Sequence, residues 1–454
     1  MVEAGRVGDL LKGLIDSVRG CFARVEPWIQ AGEYVRACMS DLDKRNGWSI
    51  AEWIGDATPD KTQRLLNHAR WDDAGVMSAI RRFLIVGLDR VAARRWLAIA
   101  ALDETGQQKT GAATAGVKRQ YMGCAGRVAN GINTVHLAYV RQHVGHGLIG
   151  SRQWIPREQL ADAATRERMG LPADLAFATK GELAVQVLSD AYTDGMRVDF
   201  VCGDEVYGAC PALRSYLEGR GQGYVLRVAK TFQVALNTGS RLSCADVVAR
   251  HLKNDRRWHI VSAGAGSKGE RDYAWAWITT DQPRHWLLIR RHLKTGECAY
   301  HYCHIPAGRP VTLKRLVTAA GLRWPIEETF TFGKDYFGLD QSQVRVHIAI
   351  RRHTVLVAAA LAVCALAAAQ ARHRTNSQAP PPTSPASLPP ADPGLFPLTV
   401  AEIKRLFNTA TARAHSLWQV TRWSWWRRRH QARAHWHHKR TRLARKTELA
   451  QVKP

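Results

Sequence analysis

The chain has 454 residues, with 65 lysines and arginines against 39 aspartates and glutamates, so its formal net charge is +26. At this length two or three domains are expected, and a hydrophobic content of 46% excludes a wholly disordered chain. The excess positive charge predicts a polyanionic partner, nucleic acid before an anionic membrane surface, because neutralising phosphates releases their counterions.

The cysteines and the apolar runs indicate the compartment. Nine cysteines are few for this length and none forms a C-x-x-C pair, so neither a disulfide framework nor a zinc ribbon is predicted. The first ten residues lack the layout of a signal peptide. The longest apolar run, residues 354–369, is shorter than a bilayer-spanning helix and predicts a buried core helix instead. We therefore expect a cytoplasmic protein without a membrane partner.

Residues 1–92 are predicted to be helical, because their apolar residues recur at three- and four-residue spacing. Within them a short helix and a glycine turn precede a second helix, which we expect to be capped by Thr58 and to begin at Pro59. This is a helix-turn-helix pattern whose second helix would present Lys61 and Arg64 to DNA. An ordinary helical hairpin is an equally good interpretation.

Strand signals begin after residue 95. The apolar run 96–102 ends at Asp103 and predicts a buried strand that carries a carboxylate at its tip. Helices are expected at 179–192 and 211–219, so a few strands are followed by βαβ alternation. The other predicted strands are 133–140, 147–155, 198–202, 224–228, 258–262, 273–279, 286–290 and 298–305.

Shifts in composition divide the chain into segments. Eight of the 18 prolines lie between residues 373 and 397, which predicts a stiff, solvated linker. Residues 401–454 hold 14 lysines and arginines, 2 acidic residues and 5 of the 16 tryptophans. The predicted segments are a helical DNA-binding domain (1–92), a first core part (93–230), a β-rich insertion (231–310), a second core part (311–372), a proline-rich linker (373–398) and a basic tail (399–454).

The basic tail interleaves tryptophans with arginines, among them Arg427, Arg428 and Arg429. Phosphate neutralisation combined with base stacking would use this mixture, so the tail is predicted to contact nucleic acid as a detachable segment. A disordered, solvated tail is the alternative, although tryptophan is costly to leave in one.

Three separated acidic residues are the candidates for chemistry. Asp103 and Asp204 each follow an apolar strand, and Glu327 lies in an R-x3-E-x6-K pattern with Arg323 and Lys334. Carboxylate oxygens are the ligands that Mg²⁺ and Mn²⁺ prefer, and a pair of such ions serves phosphodiester displacement. Lys334, two helical turns beyond Glu327, would hold a nearby phosphate. Taken singly, each acidic residue is more simply read as a strand cap or an exposed side chain.

The order of these motifs resembles the DDE transposases of bacterial insertion sequences. The segments GDEVYG at 203–208, RWPIEE at 323–328, GLDQSQVR at 338–345 and RRH at 351–353 are particularly similar to the insertion-sequence 701 family. The resemblance covers roughly residues 45–372. It implies an α/β fold: a ribonuclease H-like mixed-sheet core interrupted by a β-rich insertion, with an α-helical N-terminal domain.

The resemblance also implies roles for single residues. Asp103, Asp204 and Glu327 would ligate two Mg²⁺ ions, with Mn²⁺ as a substitute, and Arg323 and Lys334 would contact DNA near the scissile phosphate. The implied activity is cut-and-paste DNA transposition, with metal-dependent cleavage at the ends of the element and 3′-hydroxyl strand transfer. The implied partners are double-stranded DNA, as terminal inverted repeats and as target, and a second copy of the chain on paired ends, associated with the bacterial nucleoid.

Two departures from the family pattern matter. The wider branch has a tyrosine where this chain has Ala320, which puts any strand-handling role of that tyrosine in doubt. Pro325 is expected to start the helix, so that only Glu327 and Lys334 share a helical face. Glu328 is an adjacent alternative ligand.

Two other functions stay open: a non-catalytic DNA-binding relic or regulator, and a nonspecific nuclease on the same core.

The segment CAYHYCH at 298–304 is a tempting metal site. If it is a strand, Cys298 and His304 face one way while His301 and Cys303 face the other. Four ligands of one ion cannot lie on opposite faces of a strand, so we predict no zinc site here.

Overall fold

A computed structural model describes residues 2–451 apart from 237, 238, 240, 267, 268, 375–382, 385 and 389. Much of the predicted linker 373–398 therefore lies outside the described residues. The helices are α1 (Val2–Ser17), α2 (Val25–Cys38), α3 (Gly47–Ile54), α4 (Asp60–Asn67), α5 (Asp73–Val91), α6 (Arg157–Ala161), α7 (Ala163–Met169), α8 (Lys180–Thr193), α9 (Glu205–Gly208), α10 (Pro211–Gly219), α11 (Cys244–His251), α12 (Leu313–Gly321), α13 (Pro325–Phe337), α14 (His347–Arg374), α15 (Val400–Thr411) and α16 (Leu417–Gln451).

One large mixed sheet organises the molecule. The strands are β1 (Ala98–Gln108), β2 (Lys118–Met122), β3 (Arg127–Arg141), β4 (Gly145–Gln153), β5 (Phe200–Gly203), β6 (Gly223–Val228), β7 (Gln233–Ala235), β8 (Arg241–Ser243), β9 (His259–Gly266), β10 (Gly269–Thr279), β11 (His285–Arg291) and β12 (Cys298–His304). The predicted strands are all present. Three short strands, β2, β7 and β8, were not predicted: β2 is rich in polar residues and lacks a buried face, and β7 and β8 have only three residues each.

The sheet confirms the predicted fold class. β1, β3 and β4 form an antiparallel meander, and β5 and β6 follow in parallel with β1. The order β4-β3-β1-β5-β6, with helices crossing between the parallel strands, is that of a ribonuclease H-like core. The carboxyl ends of β1, β5 and β6 therefore point to the same edge, where polar side chains from distant parts of the chain can meet.

The β-rich segment continues this sheet. β12 pairs antiparallel with β6, and β11, β10 and β9 follow in order. The small hairpin of β7 and β8 and the helix α11 pack on one face of this extension and form a separate apolar cluster with it. The opposite face of the extension carries α12 near β9.

Helix α14 lies at the centre of the helical layer, against α1, α5 and β4. By length and composition it could span a membrane, but 94% of its most apolar window is buried inside the protein. The residues 354–369 thus form part of a core helix, as predicted.

One predicted helix start is wrong. Pro59 occupies the N-cap position of α4, which begins at Asp60, and Thr58 caps no backbone group. Its hydroxyl donates instead to the Asp60 carboxylate over 2.7 Å. The glycine turn is present, since Gly55 ends α3 with a φ of 96°, in the left-handed region that favours glycine.

Candidate active site

Two aspartates lie side by side just beyond the point where the parallel pairing of β1 with β5 ends. The last paired residues of these parallel strands are Ala101 and Cys202, and Asp103 and Asp204 each follow two positions later. Alternate residues of a strand face the same way, so both carboxylates project from one face. The sheet therefore joins two residues that are 101 positions apart in sequence.

The prediction that Asp103 lies at the tip of its strand is wrong. β1 continues to Gln108 because it stays paired with the long strand β3, where Asp103 faces His136. β5 ends earlier, and Asp204 caps the short helix α9 by accepting a hydrogen bond from the Val206 amide over 2.9 Å. The shared edge is thus set by the end of β5 rather than by the end of β1.

The pKa values of both aspartates are raised. Burial raises the pKa of the Asp103 carboxyl to about 7; Arg323 opposes this rise and the charge of Asp204 adds to it. Burial also raises the pKa of Asp204, and the charge of Glu104 adds to the effect. A buried pair of carboxylates with raised pKa values is the electrostatic environment that a bound cation relieves.

Arg323 lies between Asp103 and the third predicted residue. Its guanidinium donates to Asp103 Oδ2 over 2.9 Å and to Glu327 Oε1 over 2.5 Å. Its side chain is 18% exposed, and the side chain of Asp103 is 16% exposed. One partly buried arginine thus joins two of the three predicted carboxylates.

The predicted start of the catalytic helix is confirmed. α13 begins at Pro325, and Arg323 precedes it. Glu327 turns toward Arg323, whereas Glu328 turns away and accepts from His146 Nε2 at 3.1 Å. Lys334, on the same helix, lines a cavity next to β1 and β3. Of the two adjacent glutamates, Glu327 is therefore the one that faces the aspartates.

The oxygen atoms of the three acidic residues are suitable ligands for a divalent ion, but the three carboxylates do not meet at one point. Among the described residues, no three His, Cys, Asp or Glu side chains come close enough to hold an ion. Asp103 and Asp204 supply the hard oxygen ligands that Mg²⁺ prefers. Arg323 occupies the space between Asp103 and Glu327, so the third carboxylate joins the other two only if this guanidinium moves.

A polar network fixes the surroundings of the aspartates. Glu104 forms an ion pair with Lys180 and accepts a hydrogen bond from the Tyr207 hydroxyl at 3.1 Å. The network ties β1 to α8 and α9, the helices on either side of β5. No sequence pattern predicted the roles of Lys180 and Tyr207, which reach the site only through the fold.

The predicted DNA-reading residues lie on a separate surface. Lys61 and Arg64 are exposed on α4 and line a cleft of about 680 Å³, together with Arg24 and Arg70. Lys61 also forms an ion pair with Asp56 at 2.8 Å. This cleft is rich in positive charge and lies beside the helix-turn-helix rather than beside the aspartates.

The basic tail is docked rather than detachable, contrary to our expectation. The Trp423 side chain is fully buried and its indole donates to the Asp56 carbonyl oxygen over 2.9 Å. Arg427 forms an ion pair with Glu52 at 2.5 Å, whereas Arg428 and Arg429 are exposed. The tail packs on the helix-turn-helix because one of its tryptophans, Trp423, gains a buried, hydrogen-bonded place there.

Two family models match overlapping parts of the chain. The first, described as DDE superfamily endonuclease, matches residues 20–243, and the second, described as transposase DDE domain, matches residues 161–363. The chain belongs to the DDE transposases. The two matches together span the segments that carry Asp103, Asp204 and Glu327.

Single relatives agree with this family. The probable transposase for insertion sequence element IS701 of Microchaete diplosiphon is 28% identical over 171 residues, which are 38% of this chain and 40% of that protein. The match thus spans about two fifths of that relative, and it agrees with the predicted insertion-sequence 701 branch. A solved piggyBac transposase synaptic complex with hairpin DNA aligns over 93% of this chain and 82% of its own, with 8% identity. Its TM-score of 0.45 is too low to support a functional argument.

Proposed function

We propose that this DDE transposase cleaves DNA at the ends of its insertion sequence and joins the freed 3′-hydroxyl to target DNA. The observation that carries the proposal is the pair of partly buried aspartates that follow the last parallel pair of β1 and β5. Arg323 lies between Glu327 and this pair and contacts both Glu327 and Asp103. Membership of the DDE family and the charge of +26 support a nucleic acid substrate.

Asp103, Asp204 and Glu327 would hold two Mg²⁺ ions, and Mn²⁺ would substitute. Bound there, the ions would activate the attacking oxygen and stabilise the leaving oxygen of an in-line displacement. The chain's own residues prepare the site: Arg323 neutralises two of the carboxylates, and the network around Glu104 keeps the end of β5 in place. Lys334 would hold a phosphate of the strand near the metal ligands.

Binding of the DNA ends would use the separate basic surface. Lys61 and Arg64 on α4 would contact the terminal repeat, and Arg428 and Arg429 would extend this contact along α16. Two element ends must be held together for cut-and-paste movement, so we infer that two copies of the chain act on paired ends. α16 contacts α3 and the turn that precedes α4, which supports one DNA contact that uses both elements of each chain.

A cleavage assay with single variants tests the proposal. The substrate is supercoiled DNA that carries the sequences flanking the gene, with and without Mg²⁺. Asp103→Asn and Asp204→Asn each remove a carboxylate that the ions need, so we expect cleavage to fall by about a thousandfold, which corresponds to several kcal/mol of transition-state stabilisation. Binding to a labelled duplex of the same sequence should be preserved.

The outcomes separate the proposal from its rivals. Full cleavage by either aspartate variant would contradict the site. Binding without any Mg²⁺-dependent cleavage by the unaltered chain would indicate a non-catalytic DNA-binding protein. Equal cleavage of DNA without the flanking sequences would indicate a nonspecific nuclease.

A further inference from the structure

A second, strongly basic hollow lies next to the aspartates. Four arginines line it, together with aromatic side chains and a histidine, and we call it the arginine pocket. Its arginines are Arg227, Arg271, Arg290 and Arg323. Because Arg323 also contacts Asp103, the arginine pocket and the carboxylate site share one wall.

The strand register explains why these side chains meet. Arg227 is level with His301 on β12, His301 with Leu288 on β11, and Arg290 lies two positions beyond Leu288. Residues opposite one another in antiparallel strands share a face, so Arg227, His301 and Arg290 project together. Leu226 is the partner of Gly203, the residue before Asp204, so Arg227 begins this row beside the aspartates.

Two of the four arginines, Arg271 and Arg290, have no carboxylate partner among the described residues, whereas Arg323 pairs with Asp103 and Glu327. Among the described residues, the guanidinium of Arg271 donates only to backbone carbonyl oxygens, at 3.0 to 3.3 Å. Arg290 stacks its guanidinium 4.5 Å from the ring centre of Tyr273 and has no carboxylate partner among these residues. Arg227 pairs with the half-exposed Glu205 at 3.2 Å.

Burial and the closeness of the arginines also lower the pKa values of groups in the pocket. Burial lowers the pKa of Arg290, and the charges of Arg227 and Arg271 act in the same direction. Burial and the surrounding arginines lower the pKa of His301 to about 3, so this imidazole is neutral. His301 is 9% exposed, and its Nδ1 atom is buried without a hydrogen-bond partner. The pocket thus contains excess positive charge and a buried polar atom without a partner.

We propose that the arginine pocket binds one backbone phosphate of the DNA strand that enters the active site. The inference rests on the proposed function, because it places this phosphate beside the carboxylates that act on the neighbouring one. Guanidinium groups bind phosphate oxygens through paired hydrogen bonds, and a bound phosphate would relieve the repulsion among the arginines. The β-rich extension, which supplies Arg271 and Arg290, would thereby act as a clamp on the strand.

The salt dependence of DNA binding tests this proposal in the full chain. We would measure binding of a labelled duplex from the gene's flanking sequence, and of its single strand, by Arg290→Gln, Arg271→Gln and the unaltered protein. Each lost phosphate contact should reduce the magnitude of the slope of log K against log salt by about 0.9 on duplex or about 0.7 on a single strand. Arg250→Gln is the matched control, since Arg250 is an exposed arginine at the end of α11.

Two further measurements separate a binding role from a structural one. The Tm of Arg290→Gln should equal or exceed that of the unaltered chain, because one of several repelling charges is removed. A scan of neutral methylphosphonate linkages should find a position that weakens binding of the unaltered chain roughly tenfold but does not weaken binding of Arg290→Gln. Arg290→Lys, which keeps the charge but not the paired hydrogen bonds, should fall between the two proteins.

Unchanged slopes in both glutamine variants, or no such position in the scan, would overturn the proposal. Stabilisation by inorganic phosphate without any change in DNA binding would also overturn it and would indicate a site for a free anion. These readouts do not depend on cleavage. If Asp204→Asn still cleaved DNA, the proposed function would fail, while the salt slopes would still decide whether the arginine pocket holds a phosphate.

Discussion

At the scale of single residues, Arg323 is the least expected feature. The R-x3-E-x6-K spacing identified Arg323 together with Glu327, and the resemblance implied a DNA contact for the arginine. The structure pairs it instead with Asp103 and Glu327. The sequence could not predict this pairing, because Asp103 is 220 residues away in the chain and meets Arg323 only through the sheet.

This pairing makes a prediction about metal affinity. Arg323 and a divalent ion compete for the same carboxylate oxygens, so Arg323→Gln should bind Mn²⁺ several-fold more tightly than the unaltered chain, whereas Arg323→Lys should change the affinity less. Titration with Mn²⁺, followed by electron paramagnetic resonance of the free ion, measures this directly. Weaker Mn²⁺ binding by Arg323→Gln would show that the arginine organises the carboxylates rather than competing for them.

At the scale of elements, the positions of the strands were predicted well, but the pairing between strands was not. Apolar runs located the strands of the core and of the β-rich segment, because burial on a sheet leaves a local pattern in sequence. The pairing of β12 with β6 leaves no local pattern in the sequence. Because of this pairing, the segment predicted as an insertion continues the sheet of the core. The docking of α16 was missed for the same reason: Trp423 looked like any other tryptophan of a basic tail.

The docking of α16 can be tested with two tryptophans of this helix. Trp423 is fully buried against the helix-turn-helix, whereas the side chain of Trp436 is 58% exposed. Trp423→Ala should remove several kcal/mol of packing, of the order of 3–5 kcal/mol, and detach the helix. Limited proteolysis should then cut α16 rapidly in Trp423→Ala and slowly in Trp436→Ala. Equal rates of cutting in the two variants would contradict the docking.

At the scale of the whole molecule, the charge of +26 is arranged around an acidic centre. The arginine pocket borders Asp103 through Arg323, and Lys61 and Arg64 of α4 line a separate basic cleft. The net charge and the motif order were enough to predict a DNA-acting enzyme with three acidic residues. They could not place the arginine pocket, because its four arginines lie between 19 and 44 residues from their nearest neighbour in the set and converge only on the folded sheet.

The central claim is that Glu327 completes a carboxylate site with the two aspartates. Glu328 provides a matched control, since it is the next residue on α13, has the same chemistry and is bonded to His146 instead. The most direct measurement is therefore the rate of Mg²⁺-dependent cleavage at the element ends by Glu327→Gln and by Glu328→Gln. We predict that the cleavage rate of Glu327→Gln is about a thousandfold lower than that of the unaltered chain, and that Glu328→Gln keeps most of the rate. Loss in Glu328→Gln with cleavage retained in Glu327→Gln would contradict the account.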